Sequence, residues 1–205
     1  LSRERGCDRA PVRPGPHSED ARLDARTDTT SVYCAYASAT VSAVAVLEGD
    51  PELNPINGDA RPFSDWMTTF PMLAGVIDPY THESAWLLDT IKRIFHHYSG
   101  AGVRVAWLAT GPADGVKKFL GPYAEESLTF ADPNGSAANA LGVETLPALV
   151  LVRQDGEILS KAEGWDPQAW RSVIVALDEL TGWSGLQVPG PKDPAPYTGT
   201  ALQTS

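Results

Sequence analysis

Residues 70–84, FPMLAGVIDPYTHES, restrict the fold of this chain more than any other stretch, because the pattern changes abruptly within them. From Phe70 to Ile77 no side chain is polar. That is the signature of a strand covered on both faces, as strands of parallel sheets are. Asp78 and Pro79 stop the run. Beyond them, Ala85, Leu87, Leu88, Ile91, Ile94, Phe95 and Tyr98 recur at three- and four-residue spacing, which predicts one long amphipathic helix. Thr81 stands at its N-cap position, Glu83 complements the positive end of the helix dipole, and His96 and His97 complement the negative end. Gly100 and Gly102 end it. A doubly covered strand running straight into a helix requires layered α/β architecture.

The remaining elements follow in order. Residues 50–65 (DPELNPINGDARPFSD) read as turn, broken by Pro51, Pro55, Asn57-Gly58 and Pro62. Residues 103–109 (VRVAWLA) read as a second strand. Residues 112–123 form a helix with Val116, Phe119 and Leu120 inward, and residues 128–131 a short strand closed by the turn Asp132-Pro133-Asn134-Gly135. A short helix over 136–141 is capped by Gly142. Residues 149–152 and 158–162 form an antiparallel pair around the Asp155-Gly156 turn. Asp166 caps a last helix with Pro167 at its first position, and Trp170, Val173, Ile174, Leu177 and Leu180 face the sheet. Residues 41–47 fit an edge strand or a short helix.

Both ends differ in composition from this middle. Residues 1–30 carry six Arg against six acidic residues and almost no large apolar side chain. Such a segment cannot offset its ordering entropy, so it reads as disordered or as an over-extended translation start. The stretch from Val188 (VPGPKDPAPYTGT) reads as extended and mobile. The expected organisation is an extension over 1–40, a folded domain over 41–185 and a Pro/Gly-rich tail over 186–205.

The order of elements, with Pro147 just before the first hairpin strand, resembles the thioredoxin superfamily. Within it, the run Asp132-Pro-Asn-Gly, Ala140-Leu-Gly-Val, Leu146-Pro147 and Asp155-Gly-Glu-Ile, followed by Gly164, is similar to stretches of TlpA-type membrane-anchored disulfide reductases and of peroxiredoxins. Residues 57–66 look like the segment that leads into their fold. The resemblance covers about residues 54–182. It implies a thioredoxin-like α/β fold, a central mixed sheet flanked by helices, in a single domain with disordered tails. It also implies a cis bond between Leu146 and Pro147.

At the position where such a fold carries its reactive cysteines, this chain has Thr81-His82-Glu83-Ser84. The Cys-x-x-Cys spacing is kept, but both sulfurs are replaced by hydroxyls. A peroxiredoxin-like alignment keeps Pro79 and Thr81 of a shortened P-x-x-x-T-x-x-C motif and places Ser84 where the peroxide-attacking cysteine belongs. Disulfide exchange and peroxide reduction need a thiolate, and a serine hydroxyl is a weak nucleophile without that chemistry. The expected function is therefore redox-silent binding of a protein or peptide partner at this end. The site would comprise Asp78, Tyr80, Thr81, Ser84, Thr145, Leu146 and Pro147, with the residue before Pro147 offering backbone hydrogen bonds to an extended peptide. Two alternatives stand beside it: thiol-disulfide or peroxide chemistry through Cys34 or a partner's cysteine, and glutathione-type thiol binding by the Thr81 and Ser84 hydroxyls at a helix start.

Composition removes other classes. With 16 basic against 26 acidic residues the formal charge is −10, which disfavours a nucleic-acid footprint. No run reaches the roughly 20 apolar residues of a membrane span. Cys7 and Cys34 are too few for a disulfide framework or a cysteine-rich zinc site. His82 and His96 would lie about 21 Å apart along a continuous helix, so no metal is expected, and no other cofactor. Ser84, His82 and Asp78 lack the nucleophile-elbow sequence of a triad. The Ala, Gly, Pro and Arg bias looks like GC-rich bacterial coding. Residues 32–47 have the texture of a secretion signal, but they begin late and follow Asp24 and Asp28, so a cytoplasmic location is expected. Trp165, in Glu163-Gly164-Trp165-Asp166, is expected to line a groove open to a partner.

Overall fold

The computed structural model describes residues 45–203. Cys7 and Cys34 lie outside this range, as does the expected extension over 1–40. Strands β1 (Glu52–Pro55), β2 (Arg61–Pro62), β3 (Met72–Ile77), β4 (Arg104–Ala109), β5 (Leu128–Ala131), β7 (Ala148–Val152) and β8 (Ile158–Glu163) form one mixed sheet in the order β2-β1-β5-β4-β3-β7-β8. Strand β3 lies parallel to β4 and antiparallel to β7, and β7 turns back into β8. A second, two-stranded sheet joins β6 (Thr145–Leu146) to β9 (Thr200–Ala201).

All six residues of β3 are buried, because alternate side chains enter two different cores. Leu73 and Ile77 pack with Ile91, Phe95, Trp107 and Trp170 on one face, while Met72, Ala74 and Val76 pack with Phe130, Leu141 and Val150 on the other. Each such fully buried large side chain contributes about 1.5–3 kcal/mol of transfer free energy. This double coverage explains why a continuous apolar run, rather than an alternating one, encodes the strand.

The long helix expected after β3 is broken. It divides into α2 (His82–Trp86) and α3 (Leu88–Tyr98), with Leu87 (φ −99°, ψ 0°) as the joint. The break turns Leu87 fully inward and leaves Ala85, expected inward, on the outside with Trp86. Likewise, the helix expected over 112–123 stops at Gly121 (φ 54°), giving α4 (Ala113–Leu120) and α5 (Tyr123–Glu126). Phe70 does not belong to β3: Pro71 has no N–H for the ladder, and Phe70 is exposed. The turn-rich segment 50–65 contains the small hairpin of β1 and β2, which precedes α1 (Phe63–Trp66).

Several local signals act as read. Asp166 accepts a hydrogen bond from Gln168 N–H with Pro167 opening α7 (Pro167–Thr181), and Gly182 in the left-handed region closes it. Leu180, in the last turn beyond Leu177, is exposed rather than facing the sheet. Asp132 accepts from the N–H groups of Ala137 and Ala138 and from the Ser136 hydroxyl, holding the start of α6 (Ser136–Ala140). Residues 45–47 lie extended along β8, with Val46 bridging Glu157.

The C-terminal segment is extended, but it is packed on the domain rather than loose. Val188 is buried, Arg171 Nε donates to its carbonyl, and Arg93 donates to Gln187 O and to Asp193. Asp193 also accepts from Thr90 and from Gly190 N–H. Composition predicts mobility because Pro and Gly carry little apolar surface. The anchor is instead a set of polar bonds between residues about a hundred positions apart, which composition cannot register. No helix among the described residues is long and apolar enough to cross a membrane.

Candidate functional site

The β3–β7 register, with Val76 opposite Ala148, brings residues 78–84 and residues 145–147 to the same end of the sheet. The expected site residues therefore converge. Asp78 closes the turn after β3 with its own carboxylate, which accepts from Tyr80 N–H at 2.8 Å. Tyr80 is 69% exposed, and its ring lies along the start of α4. The approach is close: a Cβ on Gly115 would stand 2.5 Å from the Tyr80 hydroxyl, so any larger residue there would push the exposed ring aside.

Thr81 occupies the N-cap position of α2, yet its hydroxyl makes no capping bond to the helix. It lies 3.2 Å from Asp78 O and 3.0 Å from Ser84 Oγ. Ser84 Oγ also accepts from Asp78 N–H at 2.9 Å, and the residue is wholly buried. The two hydroxyls at Cys-x-x-Cys spacing thus bond to one another. Each carries a single proton, so donation from Thr81 to the Asp78 carbonyl leaves Ser84 to supply the proton between them. Ser84 is shut off from solvent, and its hydroxyl already donates one hydrogen bond and accepts another. Sequence spacing identified the pair, but nothing in the spacing shows that Ser84 is buried while Thr81 is only partly so.

On the facing side, the Leu146–Pro147 peptide bond is cis. Leu146 and Pro147 are buried, and the N–H groups of Glu144 and Thr145 donate to the Glu163 carboxylate at 3.0 and 2.7 Å. Lys161 pairs with the other oxygen of that carboxylate at 2.7 Å. Strand β9 runs antiparallel to this edge, Thr200 opposite Leu146 and Ala201 opposite Thr145. Sequence reasoning missed Tyr197. Its hydroxyl donates to Glu83 O at 2.6 Å, and its ring meets Trp86 edge to face at 5.4 Å. Trp165, expected to line an open groove, is fully buried. It exchanges backbone bonds with Tyr197, and its indole N–H donates to Pro194 O. The tail covers it.

Burial, and secondarily the Glu83 carboxylate, push the Tyr197 phenol well above its ordinary value of 10.0. Burial also raises Tyr98, helped by its hydrogen bond to Asp178 at 2.5 Å and by that residue's charge. Both phenols are held neutral in the fold. Their stabilising contribution is complete below pH about 10 and is lost as pH rises towards the raised values, because the unfolded chain ionises first. Phenolate absorbance should show two tyrosines titrating late, and unfolding free energy should fall across that alkaline range. Simultaneous titration of all the tyrosines near their ordinary value would contradict this.

His82 is exposed, and His96 and His97 lie in the last turn of α3. Among the described residues no three His, Cys, Asp or Glu side chains are grouped as metal ligands would be.

No family model matches the chain, and no curated protein does. Solved structures do. A Chlorobium tepidum protein provisionally assigned as thiol:disulfide interchange protein DsbE superposes with a TM-score of 0.58 at 18% identity, over 68% of this chain and 98% of its own. Peroxidoxin BcpB from Mycobacterium tuberculosis gives 0.54 at 15% identity, over 67% and 97%. A hypothetical protein of Sinorhizobium meliloti, SMc02350, gives 0.59 at 14% identity, over 79% and 94%. These similarities concern architecture, not chemistry. By fold, the chain is a thioredoxin-like α/β protein, with Thr81 and Ser84 at the Cys-x-x-Cys spacing.

Proposed function

We propose that this protein is a redox-silent binding module that engages an extended protein or peptide segment at the end of the sheet formed by residues 78–84 and 145–147. The observation that carries the reading is the contrast between the two halves of that end. On one side, Thr81 and Ser84 spend their hydroxyls on each other and on the Asp78 backbone. On the other, the short β6 edge accepts an antiparallel strand through its backbone. Strand addition of this kind gives affinity from main-chain bonds and selectivity from neighbouring side chains. Tyr80 and Trp86, 69% and 56% exposed, supply aromatic surface beside the edge. Thiol binding by Ser84 has less support, because its hydroxyl is buried and its one proton is already committed to Thr81.

The test is a coupled assay of disulfide reduction and peroxide consumption, run on the native chain and on a Cys7→Ser/Cys34→Ser variant. No turnover is expected from either. Turnover by the native chain that disappears in the variant would overturn the reading and move the chemistry to Cys34, with Cys7 as resolving thiol.

A further inference from the structure

The strand paired with β6 belongs to the chain itself, and its fit is specific. Tyr197 exchanges both backbone hydrogen bonds with Trp165, at 2.9 and 3.1 Å, and Leu202 N–H donates to Glu144 O at 2.8 Å. Between these points the segment crosses Gly164 with no room for a side chain on either backbone. A Cβ on Gly164 would stand 2.5 Å from Thr198 O. A Cβ on Gly199 would stand 3.0 Å from Gly164 Cα and would run into the Leu146 carbonyl. Tyr197 meanwhile reaches across to α2, bonding Glu83 O and meeting the Trp86 ring edge to face. One short segment therefore occupies both halves of the site described above.

The tail has two parts held by different forces. Residues 187–193 are fixed to α3 and α7 through Val188, Arg93, Arg171, Thr90 and a nearly buried Asp193 carboxylate. None of those bonds depends on strand pairing. Residues 195–202 are held by backbone bonds, by Tyr197 and by Leu202 packed against the second core, with Ala195, Pro196, Thr198 and Ala201 facing solvent. Loss of the distal pairing would leave those anchoring bonds intact, and a strand tethered so closely would compete at high effective concentration.

We propose that residues 197–202 are an exchangeable resident ligand of this site, and that the site takes extended peptides bearing an aromatic residue two positions before a glycine. The inference rests on the proposed binding function and adds its ligand class and its control: an incoming segment must displace the tail. The aromatic residue fills the place of Tyr197 between Trp165 and Trp86, and the glycine passes Gly164.

The test uses the full chain carrying Gly199→Val and a labelled synthetic peptide of residues 194–203, PAPYTGTALQ. Gly199→Val alters the tail and leaves the receiving edge native. Amide exchange at Tyr197 and Leu202 is expected to accelerate, with β3 and α7 unchanged. The peptide should bind this variant at least about tenfold more tightly than the native chain, the difference being removal of the tethered competitor. Adding Gly164→Val to the same chain should abolish binding. Equal peptide affinity for the native and Gly199→Val chains would overturn the proposal. So would retained protection at Tyr197 and Leu202 in the variant, since the pairing would then not depend on the glycine crossing. Disulfide or peroxide turnover would defeat the proposed function and leave the peptide result untouched, so the two failures are separable.

Discussion

Trp170→Ala is expected to lower the unfolding free energy by about 3–5 kcal/mol, read as a fall in denaturant midpoint with little change in slope. The residue is wholly buried on α7, and its ring meets Trp165 edge to face at 5.3 Å. Its indole N–H donates to Gly164 O at 2.8 Å, at the residue crossed by the tail. Truncation removes the apolar burial, leaves a cavity between α7 and the sheet, and strips the carbonyl of its donor. A Trp170→Phe variant would keep much of the packing and lose the donor, so it should fall well short of the Ala change, by roughly 1–3 kcal/mol. A loss below about 1 kcal/mol for Trp170→Ala would mean that the core closes over the site, contrary to the usual behaviour of large-to-small changes.

The second large effect is a gain of chemistry. A Thr81→Cys/Ser84→Cys chain, made with Cys7→Ser and Cys34→Ser, is expected to form an intramolecular disulfide on mild oxidation. The two native hydroxyl oxygens already stand 3.0 Å apart. Sulfur lies farther from its Cβ than oxygen does, so closure to a bond of about 2.05 Å needs little backbone movement. Both new thiols should vanish from a thiol titration after oxidation and return on reduction, with no dimer formed. The native chain with only Cys7 and Cys34 replaced should show no such cycle. If both new thiols persist under oxidation, the backbone at residues 81–84 does not hold a geometry suited to a dithiol pair, and the argument that Thr81 and Ser84 stand in for sulfur fails.

The parts of the fold written locally were legible. The Asp166-Pro167 helix start, the Asp155-Gly156 hairpin and the apolar run of β3 each follow from a few adjacent residues; the first two stand as read, and the third holds from Met72 onward. The order of strands and helices, and the cis bond before Pro147, came from the family resemblance. What could not be read depends on distant partners. Trp165 is buried rather than groove-lining, and nothing in Glu163-Gly164-Trp165-Asp166 announces that residues 194–198 cover it. The hold on the tail is equally remote, since it comes from Arg93 and Thr90 meeting Asp193 across the chain. At the site, spacing marked Thr81 and Ser84, but their mutual hydrogen bond depends on where Asp78 turns.

The extended course of residues 45–47 bears on how this protein behaves in concentrated solution. Strand β8 ends one side of the main sheet, and an uncovered edge there would offer a row of N–H and C=O groups to another molecule. Leu47 N–H donates to Gly156 O and Ile158 N–H to Ala45 O, so the first part of that edge is already spent. Lys161 stands farther along the same strand, and the opposite edge is the two-residue β2, which contains Pro62. A short edge, a proline, a lysine and a covering segment are the devices by which sheets avoid growing into fibres. Residues 45–47 thus occupy main-chain groups at the start of that edge that an added strand would otherwise use.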